Sequence, residues 1–98
     1  MIARIDHVSI AVRDQAKAEH FFRDILGAVA GVGLNDPTSK FFWQIFSVGD
    51  LSRLEIISPT GAGSFLDGFL QDREGGVHHI TFQTPDIRKA MDYLEMQG

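Results

Sequence analysis

The feature that most constrains the fold is an internal repeat. Residues 7 to 22 superpose on residues 79 to 94 at an offset of 72, so that His7 falls on His79, Asp14 on Asp86, Lys17 on Lys89, Ala18 on Ala90 and Phe21 on Tyr93. Between these positions Val8, Ser9 and Ile10 fall on Ile80, Thr81 and Phe82, preserving the order of bulky and small side chains. Two copies of one strand-helix unit are therefore expected, brought together around a shared core.

Side chains alternate across a strand, so in the first copy Val8, Ile10 and Val12 share one face and His7, Ser9 and Ala11 the other. In the second copy Ile80 and Phe82 make the bulky face, with His79, Thr81 and Gln83 opposite. Both histidines thus point away from what reads as the better core face. Strict alternation also sends His78 to the face opposite His79. Each strand leads through an aspartate in N-cap position, Asp14 or Asp86, into an amphipathic helix. The first carries the stripe Ala18, Phe21, Phe22, Ile25 and Leu26, with Gly27 as its stop, and the second Ile87, Ala90, Met91 and Leu94. These helices are expected to cover the bulky faces of their strands. His20 lies on the polar side of the first helix with Lys17 and Asp24.

Between the copies, Phe41 to Val48 and Arg53 to Ile57 read as strands joined by a turn at Gly49-Asp50, with a weaker strand at Val29 to Leu34. This predicts an α+β fold with a βαβββ module over residues 1–58 and the strand and helix of a second module over 76–98. Residues 59–75 form a linker, with a short helix from Ser64 in which Phe65 meets Phe69 and Leu66 meets Leu70. Ser64 and Asp67 have the spacing of a capping box.

Composition narrows the function classes. The 98 residues are 44% hydrophobic and 22% charged with a formal charge of −4, and no basic run exists to neutralise phosphates, so nucleic acid is not an expected partner. There is no cysteine, so a metal would be held by histidine and oxygen ligands. The start lacks a signal-peptide apolar stretch, and Ala28 to Leu34 is too short and glycine-rich to span a bilayer, which makes a cytoplasmic location without membrane contact the default. At this size only around 60 to 65% of the unfolded surface can be buried, which favours help from a metal or a second subunit.

The order Asp-His-Val-Ser-Ile-Ala-Val, then Leu54-Glu-Ile-Ile-Ser-Pro, then Gly76-Val-His-His-Ile-Thr-Phe resembles the vicinal-oxygen-chelate superfamily of glyoxalases, bleomycin resistance proteins and extradiol dioxygenases. Glyoxalase I and the methylmalonyl-CoA epimerases look most alike. The resemblance runs over essentially the whole chain and implies paired βαβββ modules forming a cup-shaped mixed sheet, here with the second module incomplete. Within the cup it implies a divalent metal, zinc, nickel, cobalt or a similar ion, on His7, Glu55 and His79. The offset of 72 places a fourth ligand, which in the family also serves as base, near position 127, beyond these residues. Either the chain is a fragment or variant lacking three strands, or the roles of those strands are filled by another subunit. Epimerase chemistry implies a second glutamate in the loop before the third strand, where this chain has only Asp36.

The implied activity is isomerase, epimerase or glutathione-adduct lyase chemistry through an enolate or enediolate of a small carbonyl or thioester substrate, with a homodimer as the assembly. Two further functions stay open: a non-catalytic, resistance-type binder of small molecules, and an Fe(II) dioxygenase, since two histidines and a carboxylate also make a facial triad. Gln44, Trp43 and Ser9 are candidate substrate contacts. For Glu55 there is a competing role, an ion pair with Arg53 two residues away on the same strand face.

Overall fold

The computed structural model describes all 98 residues. Five strands, β1 (Arg4–Val12), β2 (Val29–Asp36), β3 (Phe41–Val48), β4 (Ser52–Pro59) and β5 (Gly75–Gln83), form one mixed sheet in the order β2-β3-β4-β1-β5. Strand β1 is central to the site. It runs parallel to β4, with Ser9 opposite Glu55, and antiparallel to β5, with Ser9 opposite His79 and His7 opposite Thr81. This register is unchanged when the two repeats are exchanged, so β1 and β5 are related by a local pseudo-twofold between them.

Both predicted aspartate caps form. Asp14 Oδ1 accepts from the Lys17 amide and Asp86 Oδ1 from the Lys89 amide, each at 3.0 Å, satisfying N–H groups that a helix start leaves without partners. Helix α1 (Gln15–Glu19) then widens into a π-helical segment (His20–Ile25), in which the Leu26 amide reaches the Phe21 carbonyl at 3.0 Å. Bonding five residues back changes the angular step, so the expected stripe splits. Ala18 and Phe22 pack on the core of Ala28, Phe46 and Ile56, whereas Phe21, Ile25 and Leu26 are exposed.

The small-residue face of β1 is the better buried one, contrary to the expectation from side-chain size. Ser9 and Ala11 have no exposed surface because residues 64–72 fold across that face, inserting Leu66 and Leu70 against Ala11 and Ile57. Small side chains leave room for this cover; the bulky side chains on the other face do not. The covering segment is a series of turns rather than the expected short helix. Its start is tied down by Asp67, whose carboxylate accepts from the Gly63 amide at 2.9 Å, and by the Ser64 hydroxyl, which accepts from the Leu66 amide at 3.2 Å. Arg13 holds its far end through the carbonyls of Leu70, Gln71 and Arg73.

Helix α2 (Ile87–Gln97) does not cover the bulky face of β5 as expected. Only Ala90 of its apolar stripe is buried; Ile87, Met91 and Leu94 are exposed, as are Ile80 and Phe82 of the strand. The radius of gyration, 15.2 Å, exceeds the roughly 13 Å typical of this chain length, in keeping with a sheet that is open on the β5 side. No helix is long and apolar enough to cross a membrane.

Gly75 sets how closely β5 can approach β1: a Cβ there would stand 2.8 Å from the Ala11 carbonyl oxygen, a backbone atom that cannot swing aside. Gly75→Ala is expected to lower stability by about 1 to 3 kcal/mol, the usual cost of forced overpacking, read from urea unfolding. Gly61→Ala, where a Cβ meets nothing within 4 Å, should change little. Equal effects at the two positions would contradict this account of the β1–β5 approach.

Candidate metal centre

His7 comes from β1, Glu55 from β4 and His79 from β5, so three adjacent strands each present one group to the same face. One ligand atom from each residue lies within 4.8 Å of the others. His7 Nε2 is 3.5 Å from Glu55 Oε1. Donors that share an ion at about 2.1 Å sit roughly 3 to 4 Å apart, so small side-chain rotations would bring this set onto one ion. The donors themselves, two imidazoles and a carboxylate, suit zinc, nickel or cobalt. The trio opens into a cleft of about 320 Å³ whose other walls are Phe41, Trp43, Ile57 and Phe65.

The surroundings hold each group in place. Ser9 donates to Glu55 Oε1 at 2.6 Å. Being fully buried, the hydroxyl serves the carboxylate and does not line the cleft, which corrects its reading as a substrate contact. Gln44 is also corrected. It pairs with Ile56, whose side chain belongs to the helix-side core with Phe46, and its amide reaches back to the Gly31 carbonyl at 3.4 Å. Trp43, one residue earlier, pairs with Ile57 and does face the cleft.

Arg53 does not pair with Glu55. Its guanidinium instead donates to Asp6 Oδ1 at 2.9 Å, while Asp6 Oδ2 takes His7 Nδ1 at 2.8 Å. An ionised carboxylate can only accept, so His7 is the donor at Nδ1, and its Nε2 faces Glu55. The His7 hydrogen bond above all, and then the Arg53 charge, hold the Asp6 carboxyl below the ordinary carboxylate range. Sequence reasoning missed Asp6 because strict alternation separates it from His7.

His78 is likewise on the side of His79, not opposite it. The two Nδ1 atoms are 2.8 Å apart, and the His78 ring packs edge-on against Phe65 and Phe69 at centroid distances of 5.8 and 5.0 Å. Burial, and then the neighbouring His79 charge, push the His78 pKa below its ordinary value of 6.5. His20 is exposed and paired with Asp24 at 2.8 Å, away from the cleft. Asp36 caps its own turn, accepting from the Thr38 and Ser39 amides at 3.0 and 3.1 Å.

With this geometry in hand, comparison with known proteins gives a consistent answer. A sequence profile of the glyoxalase/bleomycin resistance protein/dioxygenase superfamily matches residues 6–98. The ethylmalonyl-CoA/methylmalonyl-CoA epimerase of Cereibacter sphaeroides is 37% identical over the whole of this chain, which covers 73% of that protein. The mitochondrial methylmalonyl-CoA epimerases of mouse and human are 33% and 34% identical over 92% of the chain, which spans about half, 51%, of each. In crystal structures, methylmalonyl-CoA epimerase from Mycobacterium tuberculosis superposes with a TM-score of 0.89 at 23% identity, covering 99% of this chain and 65% of that one. The chain belongs to the glyoxalase/bleomycin resistance protein/dioxygenase superfamily, and its sheet and two helices have the glyoxalase-like fold seen in methylmalonyl-CoA epimerase.

A histidine whose pKa is lowered on folding binds its proton more readily in the unfolded chain, so it removes stability as pH falls. In metal-free protein, the urea midpoint of wild type should therefore drop more steeply than that of His78→Gln as pH falls from about 6.5 through the lowered native value. Parallel curves for the two proteins would show that His78 is not held neutral by its setting.

Proposed function

We propose that this chain holds a divalent metal on His7, Glu55 and His79 and acts as an epimerase-type isomerase on the carbon beside a thioester carbonyl, in the 2-substituted malonyl-CoA class named by its relatives. The observation that carries the proposal is the convergence of three groups from three adjacent strands at the floor of one cleft. Named relatives favour isomerase over glyoxalase-type lyase chemistry. When bound, the metal would supply Lewis-acid polarisation of a carbonyl oxygen, which makes the adjacent carbon acid enough to lose a proton. The residues of the chain do the rest. His7 and His79 are neutral donors and Glu55 contributes one negative charge, so a divalent ion on them retains net positive charge to offer a substrate. Ser9 holds Glu55 in a single orientation. Phe41, Trp43 and Phe65 exclude water from one side of the cleft, strengthening every electrostatic interaction within it.

The proton acceptor has no candidate among the cleft residues other than Glu55, since Asp36 is committed to its turn. That one observation favours the second reading, a binder of small molecules on the same fold without turnover. The exposed apolar surfaces of β5 and α2 support assembly with a second copy, which is the proposed partner.

Elemental analysis after purification is expected to find close to one zinc, nickel, cobalt or similar ion per chain in wild type and to find it lost from His7→Ala and His79→Ala. The same trace metal in all three would sink the metal reading. Incubating metal-loaded protein with methylmalonyl-CoA in D2O and following the 2-proton by NMR then decides between the functions. Loss of the proton signal in wild type but not in Glu55→Ala supports isomerase chemistry, whereas binding without exchange supports the binder.

A further inference from the structure

The pairing of β1 with β5 skips one residue on each strand. Ile5 pairs with Phe82 and His7 with Thr81, leaving Asp6 without a cross-strand partner; Ser9 pairs with His79 and Ile10 with Val77, leaving His78 without one. Each skipped residue immediately precedes a candidate ligand. Asp6 and His78 also stand 72 residues apart, the offset of the sequence repeat. A bulge breaks strict alternation and brings two successive side chains toward one side. The same irregularity therefore occurs at both equivalent points of the pseudo-twofold, and at each it places a side chain against Nδ1 of the following histidine: Asp6 Oδ2 at 2.8 Å from His7 Nδ1, and His78 Nδ1 at 2.8 Å from His79 Nδ1.

We propose that Asp6 and His78 are matched positioning residues which fix His7 and His79 in the tautomer protonated at Nδ1, leaving both Nε2 lone pairs free for the metal. The inference rests on the proposed metal site and adds to it the device that prepares the site before metal arrives. At His7 the acceptor is a carboxylate, itself oriented by Arg53 and approached by Arg4 at 3.7 Å. At His79 the facing group is the His78 imidazole, packed against Phe65 and Phe69, whose Nδ1 would accept the His79 proton in this arrangement. The two halves use one geometry with different chemistry. A carboxylate beside both histidines would place two extra negative charges around a site that already holds Glu55; an imidazole in the second copy orients its neighbour without adding charge. A second ring nitrogen hydrogen-bonded in this way sets both the ring's orientation and the basicity of the ligating nitrogen.

The test uses metal-free, 15N-labelled protein at about pH 8, where long-range imidazole 1H–15N spectra report which ring nitrogen carries the proton. Wild type is expected to show His7 and His79 each protonated at Nδ1 only. Asp6→Ala should release His7 into a mixture of tautomers while leaving His79 fixed, and His78→Phe should do the reverse. Asp6→Asn and His78→Asn, which keep an acceptor oxygen, should retain the fixed tautomer; they also carry the test if the larger changes unfold the chain. In Zn²⁺ titration calorimetry, Asp6→Ala and His78→Phe should each weaken binding about 10 to 100-fold, with the asparagine variants between them and wild type. Mixed tautomers in wild type, or spectra of the two ligands unchanged by Asp6→Ala and His78→Phe, would overturn the proposal. A wild type that binds no Zn²⁺ would instead count against the proposed function, and the tautomer spectra would still decide the positioning roles by themselves.

Discussion

The site depends on β1 lying between β4 and β5. Had the chain paired β1 with only one of them, His7 would have met Glu55 or His79 but not both. The parallel pairing on one side sets Ser9 against Glu55, and the antiparallel pairing on the other sets Ser9 against His79. A single fully buried serine thus marks the point where three strands bring their polar groups together, and its hydroxyl fixes the only carboxylate among them. Hydrogen bonds along two strand edges do this work, so the position of each side chain is set by backbone geometry before any side-chain preference applies.

Burying polar groups at the centre of a sheet is costly unless each finds a partner. Here the cost is offset by a chain of contacts running outward from the cleft: Glu55 takes Ser9, His7 takes Asp6, and Asp6 takes Arg53, which reaches solvent. No buried side-chain nitrogen or oxygen lacks a hydrogen-bond partner. On the other flank Phe69 packs beside Leu66 and Leu70, and both Phe65 and Phe69 stand edge-on to the His78 ring. The turns of residues 64–72 thereby join core packing to the flank of the site, where the sequence suggested a linker carrying a short helix.

Much of this was legible in the sequence, and the remainder was not for identifiable reasons. The repeat exposed the two strand-helix units and both aspartate caps, because a cap is a local hydrogen bond between residues three apart. The repeat and strand parity pointed to His7 and His79, and family resemblance alone to Glu55. Parity failed at Asp6 and His78 because a bulge belongs to the pairing of two strands and leaves no mark in either one alone. It was undecided in Phe41-Phe-Trp-Gln-Ile-Phe-Ser-Val, a run apolar on both faces, and so Trp43 and Gln44 were both assigned to the cleft although neighbours in a regular strand cannot share a face. The π-type widening of the first helix was hidden for a related reason: its residues keep an acceptable α-helical stripe, and only the tertiary packing of Ala18 and Phe22 selects between the two windings.

The asymmetry between the two ends of the site bears on how such a centre could have arisen from a duplicated unit. Duplication produces two identical first strands, and identical strands would place the same residue before each histidine. Asp6 has a cationic partner because β4, paired beside β1, supplies Arg53. Within these residues β5 has β1 on one side only. A neutral imidazole sheltered by two phenylalanines needs no such counter-charge. One bulge geometry thus serves a charged, arginine-backed acceptor at Asp6 and an imidazole packed against Phe65 and Phe69 at His78.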